Sequence, residues 1–153
     1  MKGTWTEDAD LMAQISREVL YSMSAYPRKL VHTDELVRKH ELPFSQIQLL
    51  TLLYKQDVTV TEAAHHLNVA KTNLALLIRQ LSEKGFIERI QDDVDRRKVF
   101  LHMTEKGKTE YLAMEKSVAE QIARLDGKFA RSEMKLLLKS LSQVNHVLNR
   151  VKP

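Results

Sequence analysis

The segment from Thr59 to Gly107 constrains the fold of this chain more than any other part of the sequence. It contains two short amphipathic stretches joined by a turn, then two alternating apolar and polar stretches with an acidic turn between them. Thr59 and Glu62 have the spacing of a capping box, which predicts the start of a helix ending at Leu67. Asn68 suits the left-handed position that ends a helix. The segment therefore predicts helix, turn, helix and β-hairpin, in that order.

The second helix of this segment is predicted from about Lys71 to Lys84, because Gly85 interrupts the pattern. One face carries apolar residues at helical spacing, namely Leu74, Leu77, Ile78 and Leu81. The opposite face carries Lys71, Thr72, Asn73, Ala75, Leu76, Arg79 and Gln80. Amide and guanidinium groups pair with base edges, and hydroxyl and ammonium groups suit base edges or phosphates. This face is a candidate DNA-binding surface, and a simply solvated helix face is the alternative.

The hairpin is predicted from two strands, Phe86 to Gln91 and Arg97 to Met103, with aspartates in the turn. Its cations are Arg89, Arg96, Arg97 and Lys98, and they can lie along a phosphate backbone or enter a minor groove. We expect Asp95 to hold the Arg97 guanidinium by charge-assisted hydrogen bonds. Two helices followed by such a ribbon fit a major groove with an arm beside it. A plain surface hairpin is the alternative.

Three further helices are predicted before this segment. The first runs from about Glu7 to His32, and Pro27 predicts either a kink or an early end, of which we favour the kink. A short helix follows from Asp34 to His40. The third ends near Lys55 and is predicted to begin with a capping box of Ser45 and Gln48. Because it is apolar nearly all round, we expect it to lie at the centre of the core.

Two long amphipathic helices are predicted after the hairpin, one capped by Thr104 and ending near Gly127, the other capped by Ser132. Together with the first helix, they carry more apolar surface than the small central segment can cover. Association of two chains through these helices is the simplest solution, and a monomeric bundle is the alternative. The predicted interface residues lie on these apolar stripes: Leu11, Ile15, Leu137, Leu141, Val144 and Leu148.

Composition excludes several other classes of protein. The absence of cysteine excludes a structural disulfide and a thiolate metal site. The net charge of +4 is compatible with a polyanionic partner. No signal sequence and no apolar run of about 18 residues occurs, so a cytoplasmic location without a membrane partner is expected. No phosphate loop, nucleophile elbow or HExxH motif occurs, and neither enzymatic activity nor a cofactor is expected.

Three motifs together resemble the MarR family of winged helix-turn-helix regulators, over most of the chain. They are LSEKGFIER from Leu81 to Arg89, Asp95 with Arg97, and MTEKG from Met103 to Gly107. The resemblance implies a mainly α fold with a winged helix-turn-helix domain at residues 43–104 and a two-stranded β-hairpin as its wing. It also implies that the long N- and C-terminal helices, in residues 1–42 and 105–153, form a triangular homodimer.

What the resemblance implies for function is repression of transcription through pseudo-palindromic operators in double-stranded DNA. Lys71, Thr72 and Asn73 match the N-terminus of the recognition helix of that family, and Arg96 and Arg97 match its wing arginines. Two positions depart from the family pattern. Ala70 stands where a serine commonly caps the recognition helix, and Leu76 stands where an arginine is frequent. A leucine can contact a thymine methyl group but cannot donate to guanine, so we expect a different operator sequence.

Similar proteins are commonly released from DNA by small aromatic acids or phenols, which implies a small-molecule effector. Placement between the dimerisation helices and the winged domain suggests Met23, Tyr26, Arg28, His32, Phe44 and Met114 as its contacts. Such side chains at helical spacing are also typical of a core. A zinc site normally needs at least three ligands in a tetrahedral array. His32, His40 and Glu41 lie close in sequence, but the long helix after the wing carries carboxylates and no histidine, and cysteine is absent, so no metal site is predicted. Two alternatives stay open: a dimeric winged-helix module that binds protein instead of DNA, and a zinc-sensing regulator.

Overall fold

A computed structural model describes residues 4–125 and 127–150, without the side chains of residues 4–8. The ends of the predicted dimerisation region, residues 1–3 and 151–153, lie outside the described residues, as does Asp126. The elements are α1 (Thr4–Lys29), α2 (Thr33–His40), α3 (Phe44–Lys55), β1 (Val58–Thr59), α4 (Val60–Leu67), α5 (Lys71–Glu83), β2 (Ile87–Gln91), β3 (Val99–Met103), α6 (Glu105–Ala123) and α7 (Arg131–Leu148). The predicted mainly α fold with a hairpin wing is confirmed.

The signals predicted to begin and end α4 are confirmed. The Glu62 backbone N–H donates to Thr59 Oγ1 at 3.2 Å. In return, the Thr59 backbone N–H donates to Glu62 Oε2 at 2.8 Å, which completes the capping box. Asn68 adopts the left-handed conformation, with φ of 49°. These local bonds fix the turn that directs the chain from α4 into α5.

Two predicted caps are wrong. Helix α3 begins at Phe44 after Pro43, and no side chain caps it, so Ser45 lies inside the first turn. Proline has a fixed φ that suits the entry to a helix, which allows the helix to begin before Ser45. Helix α7 begins at Arg131, where the Ala130 backbone N–H donates to Glu133 Oε2 at 2.7 Å. Ser132 is therefore helical and not the cap.

The ends of α1 and α6 also differ from those predicted. Helix α1 begins at Thr4, contains Pro27 and ends at Lys29, three residues before His32. Proline lacks the backbone N–H of a helix interior, and the helix ends within two residues of it. Helix α6 has the predicted cap, because Thr104 Oγ1 accepts from the Gly107 N–H at 3.0 Å. It ends at Ala123, before Gly127.

The hairpin belongs to a three-stranded antiparallel sheet in the order β1-β3-β2. The two-residue strand β1 was not predicted, because it is too short to show an alternating pattern. Val58 of β1 pairs with Leu101 of β3, and both are buried. Strand β1 therefore connects the hairpin to the start of α4, which follows it directly in the sequence.

The core lies between the sheet and helices α3, α4, α5 and α6. Its fully buried side chains are Leu42, Leu49, Leu50, Leu74, Ile78, Leu81 and Leu101. The predicted central position of α3 agrees with this core, since Ile47, Leu49, Leu50 and Leu53 are all buried. No helix among the described residues is long and apolar enough to cross a membrane.

Polar contacts connect α2 to α6. Arg124 donates to both carboxylate oxygens of Glu35, at 2.9 and 3.1 Å. This pairing lowers the pKa of Glu35 and raises that of Arg124. The buried His40 ring lies 2.7 Å from Glu110 Oε1 through Nδ1 and 2.9 Å from Ser117 Oγ through Nε2. These bonds set the position of α2 against the long helix that follows the wing.

Candidate nucleic-acid interface

The outer face of α5 is exposed and the inner face is buried. Leu74, Ile78 and Leu81 have at most 1% of their surface exposed and hold the helix against the core. The exposed residues are Lys71, Thr72, Asn73, Ala75, Leu76 and Arg79. Leu76 has 45% of its surface exposed, so an apolar group lies among the polar ones. This face can offer ammonium, hydroxyl, amide and methyl groups to a ligand.

Gln80, the last residue predicted to belong to this face, is half-buried and points towards α3. Its Oε1 accepts a hydrogen bond of 2.8 Å from Nε2 of Gln46. Gln46 is 3% exposed, and its own Oε1 has no partner in the part of the chain that the structure describes. The amide oxygen of Gln80 is thus used to hold α5 against α3.

Across the described residues of the chain, no side chain caps the N-terminus of α5. Ala70 occupies the capping position with extended backbone geometry, φ of −62° and ψ of 143°. Its methyl group cannot accept a hydrogen bond from the first turn, where backbone N–H groups have no partner inside the helix. The first turn of α5 therefore keeps N–H groups available to water or to another molecule.

The turn of the wing is organised by Asp92. Its Oδ1 accepts from the backbone N–H of Val94 at 2.7 Å and of Asp95 at 2.9 Å. The hydrogen bonds from Asp95 and Val94 lower the pKa of the Asp92 carboxyl. Because this carboxylate faces into the turn, it does not extend from the wing as a free acidic group.

Asp95 contacts Arg97, but not through the guanidinium that we predicted. Asp95 Oδ1 accepts from the Arg97 backbone N–H at 3.1 Å. In a tight turn, a short acidic side chain reaches the backbone N–H two residues later more readily than the end of a long side chain. Within residues 4–125 and 127–150, the Arg97 guanidinium has no hydrogen bond or ion pair. The predicted contact between Asp95 and Arg97 is present, but the donor is the Arg97 backbone N–H and not the guanidinium. The guanidinium therefore stays available to bind another molecule.

The wing cations Arg96, Arg97 and Lys98 are all exposed. Arg97 and Lys98 face the start of α4 across a cavity of about 510 Å³, which Thr61 and Glu62 also line. The carboxylate of Glu62 is occupied by its capping bonds to Thr59, which lower its pKa, and Lys98 lowers it further. The structure thus brings Arg97 and Lys98 beside the start of α4, the first helix of the segment.

The predicted effector contacts lie in different settings within one chain. Tyr26 lines an apolar groove of about 440 Å³ between α1 and α7. Met114 is buried in the core, whereas Met23 and Phe44 are 70% and 48% exposed. The remaining two make local bonds. Arg28 donates to Ser24, and the His32 backbone N–H donates to Gln121 Oε1 at 2.6 Å. A shared role for these six residues stays a prediction.

No group of three or more histidine or carboxylate side chains among the described residues is placed to hold a metal ion. The ring of His40 is bonded to Glu110 and Ser117 on α6. His65 and His66 are exposed on α4. His40 thus serves the packing of α2 on α6, whereas His65 and His66 lie on the surface of α4.

Two residues that position this surface were missed by the sequence analysis. Gln46 is a polar residue directly before the apolar run that begins at Ile47, but Gln48 and Thr51 lie on the same helix, so no local pattern singles it out. Asp57 accepts from the ring of His102 at 2.9 Å and so connects the α3–β1 loop to the wing. This pair lies 45 residues apart in the sequence, and no local pattern indicates it.

Comparison with known proteins agrees with this geometry. The family model for the transcriptional regulator SarA/Rot matches residues 32–114, more than half of the chain. The HTH-type transcriptional regulator MgrA of Staphylococcus aureus is 25% identical over 122 residues, which span 79% of this chain and 82% of MgrA.

Two solved structures share the fold. A MarR family protein from Bacillus stearothermophilus has a TM-score of 0.73 at 16% identity, covering 93% of this chain and 98% of that protein. NadR in complex with 4-hydroxyphenylacetate has a TM-score of 0.65 at 19% identity, covering 85% of this chain and 91% of NadR. Most of this chain therefore has the same fold as these two proteins.

Proposed function

We propose that this chain, which belongs to the SarA/Rot family of transcriptional regulators, acts as a homodimer that reads an operator with α5 and the wing. It is a MarR-type, DNA-binding transcriptional regulator. The observation that carries the finer proposal is the exposed polar face of α5 beside a wing with three exposed cations. Helix-turn-helix proteins place the N-terminal part of their recognition helix deepest in the major groove, which assigns Lys71, Thr72 and Asn73 to base edges.

The wing is assigned to the DNA backbone and the adjoining minor groove. The guanidinium of Arg97 has no partner among the described residues, and Arg96 and Lys98 are exposed next to it in the sequence. Cations at the tip of a narrow ribbon suit the negative potential of a minor groove. These contacts supply affinity that depends on salt, whereas α5 supplies the sequence preference.

Dimerisation through α1 and α7 is supported by apolar side chains that one chain leaves exposed. Leu11, Ile15, Val144 and Leu148 are 50%, 47%, 53% and 59% exposed. Leu137 and Leu141 are partly buried beside them. Monomeric proteins rarely expose apolar surface of this extent. Association of two chains would remove these side chains from water, which favours a dimer. We assign residues 1–42 and 105–153 to the dimerisation region and residues 43–104 to the DNA-binding domain.

The dimer can be tested with charged substitutions on α7. Val144→Glu with Leu148→Glu should convert the dimer into a monomer in light scattering, because two carboxylates cannot be buried in an apolar interface. Ser142→Glu is the control, since Ser142 is exposed on the same helix and outside the apolar stripe. A double variant that stays dimeric would remove this interface from the proposal.

Selection of bound duplexes from a random DNA pool tests DNA reading directly. We expect an enriched pseudo-palindrome with half-sites about one helical turn apart. Binding of that duplex should weaken steeply between 50 and 200 mM salt, as expected of phosphate contacts. If no sequence is enriched and binding does not depend on salt, the protein-interaction module replaces this proposal.

Repression relieved by a small aromatic acid is the regulatory part of the proposal. NadR was solved with 4-hydroxyphenylacetate bound, and it shares the fold of this chain. The candidate contacts are Met23, Tyr26, Arg28, His32, Phe44 and Met114, and zinc is not assigned a site. Titration of 4-hydroxyphenylacetate into the complex with the selected duplex should release DNA, and Tyr26→Ala should weaken that release. DNA binding that stays unchanged at millimolar acid would count against this effector class.

A further inference from the structure

A second cationic feature lies next to α5, away from the tip of the wing. It is a groove of about 630 Å³ between the outer face of α5 and strand β2. Arg89 lines the groove from β2, and the α5 side is lined by Thr72, Ala75, Leu76, Arg79, Ser82 and Glu83. The groove is therefore continuous with the surface assigned to base reading.

The register of the sheet explains why Arg89 faces this groove. Arg89 lies opposite Leu101, which is fully buried, so both side chains are on the face of the sheet that carries the helices. Ile87, two residues earlier on the same face, is 2% exposed. Arg89 is thus the position at which the helix-facing side of β2 leaves the core and reaches solvent beside α5.

The guanidinium of Arg89 is available for an external partner. Among the described residues it has no hydrogen bond or ion pair, and the side chain is exposed. Across the groove, Arg79 Nε lies 3.8 Å from Glu83 Oε1, an ion pair in which both side chains are more than two-thirds exposed. The groove is therefore lined by one carboxylate, that of Glu83, and by two guanidinium groups. Glu83 pairs with Arg79, which leaves Arg89 without an acidic partner among the described residues.

We propose that Arg89 binds a backbone phosphate of the DNA strand that runs along α5, as a contact separate from those of the wing tip. This inference rests on the proposed function, because it places Arg89 against the duplex that α5 reads. A guanidinium offers several N–H donors in a planar fork that matches phosphate oxygens. The hydroxyl group of Ser82 lines the same groove and can donate to a phosphate of that strand. The contact carries no base information and fixes how far α5 enters the major groove.

The test measures the salt dependence of binding for Arg89→Gln, with the duplex that the unchanged protein selects from a random pool. Loss of one phosphate contact per protomer should lower the salt slope by about 1 for each protomer. Preferred and scrambled duplexes should be weakened by the same factor. Arg89→Lys keeps the charge and should recover most of the slope. Arg38→Gln is the matched control, because Arg38 is an exposed arginine on α2, which packs against α6.

The outcomes separate this inference from the proposed function. If the unchanged protein binds with a steep salt slope and Arg89→Gln keeps the same slope, the inference is wrong and the proposed function stands. A change of base preference at particular positions would also overturn it, because a phosphate contact acts equally on all sequences. If the unchanged protein shows no salt-dependent binding, both fail. Thermal unfolding of each variant shows whether the fold is retained, and Arg89→Lys gives the answer if Arg89→Gln does not fold.

Discussion

Nε2 of Gln46 donates to Oε1 of Gln80 at 2.8 Å, which joins the buried helix α3 to the recognition helix α5. The two residues differ in access to water. Gln46 is 3% exposed, whereas Gln80 is half-buried. Loss of one partner therefore has unequal consequences, because a half-buried amide can bond to water and a buried one cannot.

We expect Gln80→Leu to lower the free energy of unfolding by about 1–3 kcal/mol, since it leaves the buried amide of Gln46 without a partner. Gln46→Leu should cost less, and the double variant should cost less than the sum of the two single changes. Urea denaturation of the three variants measures this. Equal losses for both single variants would show that the bond does not have the assigned asymmetry.

Ala70→Ser should stabilise the protein by about 0.5–2 kcal/mol. Ala70 already has the extended backbone of a helix cap but no side-chain acceptor. A serine hydroxyl at this position can accept from an N–H of the first turn without moving the backbone. Thermal denaturation is the measurement, with Thr72→Ser inside the helix as the control. An unchanged midpoint for Ala70→Ser would show that these N–H groups are already satisfied.

Gly107→Ala should destabilise the fold by about 1–3 kcal/mol, towards the upper end, because the close contact involves backbone atoms that cannot easily move aside. A Cβ atom at Gly107 would lie 2.0 Å from the carbonyl oxygen of Phe86. That oxygen also accepts from the Thr104 N–H at 3.0 Å. Lys108→Ala, at an exposed position of the same helix, is the control in chemical denaturation. A variant as stable as the parent would contradict the close packing of α6 on the start of the hairpin.

Acid should loosen the wing turn before it unfolds the rest of the protein. Hydrogen bonds from the Asp95 and Val94 backbone lower the pKa of Asp92 below its ordinary value of 3.8. The stabilisation from this carboxylate is fully present above that value and is lost as the pH falls towards the lower pKa of the folded state. Lower protection factors for the Val94 and Asp95 amides below pH 4, each taken relative to the intrinsic exchange rate at that pH, would show it. Asp92→Asn removes the titrating group, so its turn should show no such pH dependence.

Arg97→Ala and Asn73→Ala should change DNA binding in different ways. Arg97→Ala removes a free guanidinium, so it should weaken binding to most duplexes and lower the salt slope by about 1 per protomer. Asn73→Ala removes an amide that can pair with adenine, so it should alter the preferred sequence by about 1–3 kcal/mol of discrimination. Anisotropy titrations across salt concentrations, with preferred and substituted duplexes, distinguish the two. If both variants bind like the parent, the assigned surface is wrong.

Local patterns predicted those elements whose limits are set by neighbouring residues. The capping box of Thr59 and Glu62, the left-handed Asn68 and the cap at Thr104 each involve bonds over three or four residues, and all are present. The same reasoning failed at Ser45 and Ser132, where another residue begins the helix one or two positions earlier. A cap signal shows that a helix starts nearby, but competing starts differ by small energies that packing decides.

The sequence by itself determined the order of helices and strands, the two faces of α5 and the cations of the wing, because each follows from short-range spacing and from the chemistry of the side chains. Tertiary structure decided which of these groups are free to act. It used the oxygen of Gln80 to hold α3, placed the Asp95 bond on the backbone of Arg97, and brought Arg89 beside α5. The physical reason is that most of these contacts depend on how helices and strands far apart in the sequence pack together. The spacing of residues within one element does not determine which residues of another element lie next to it.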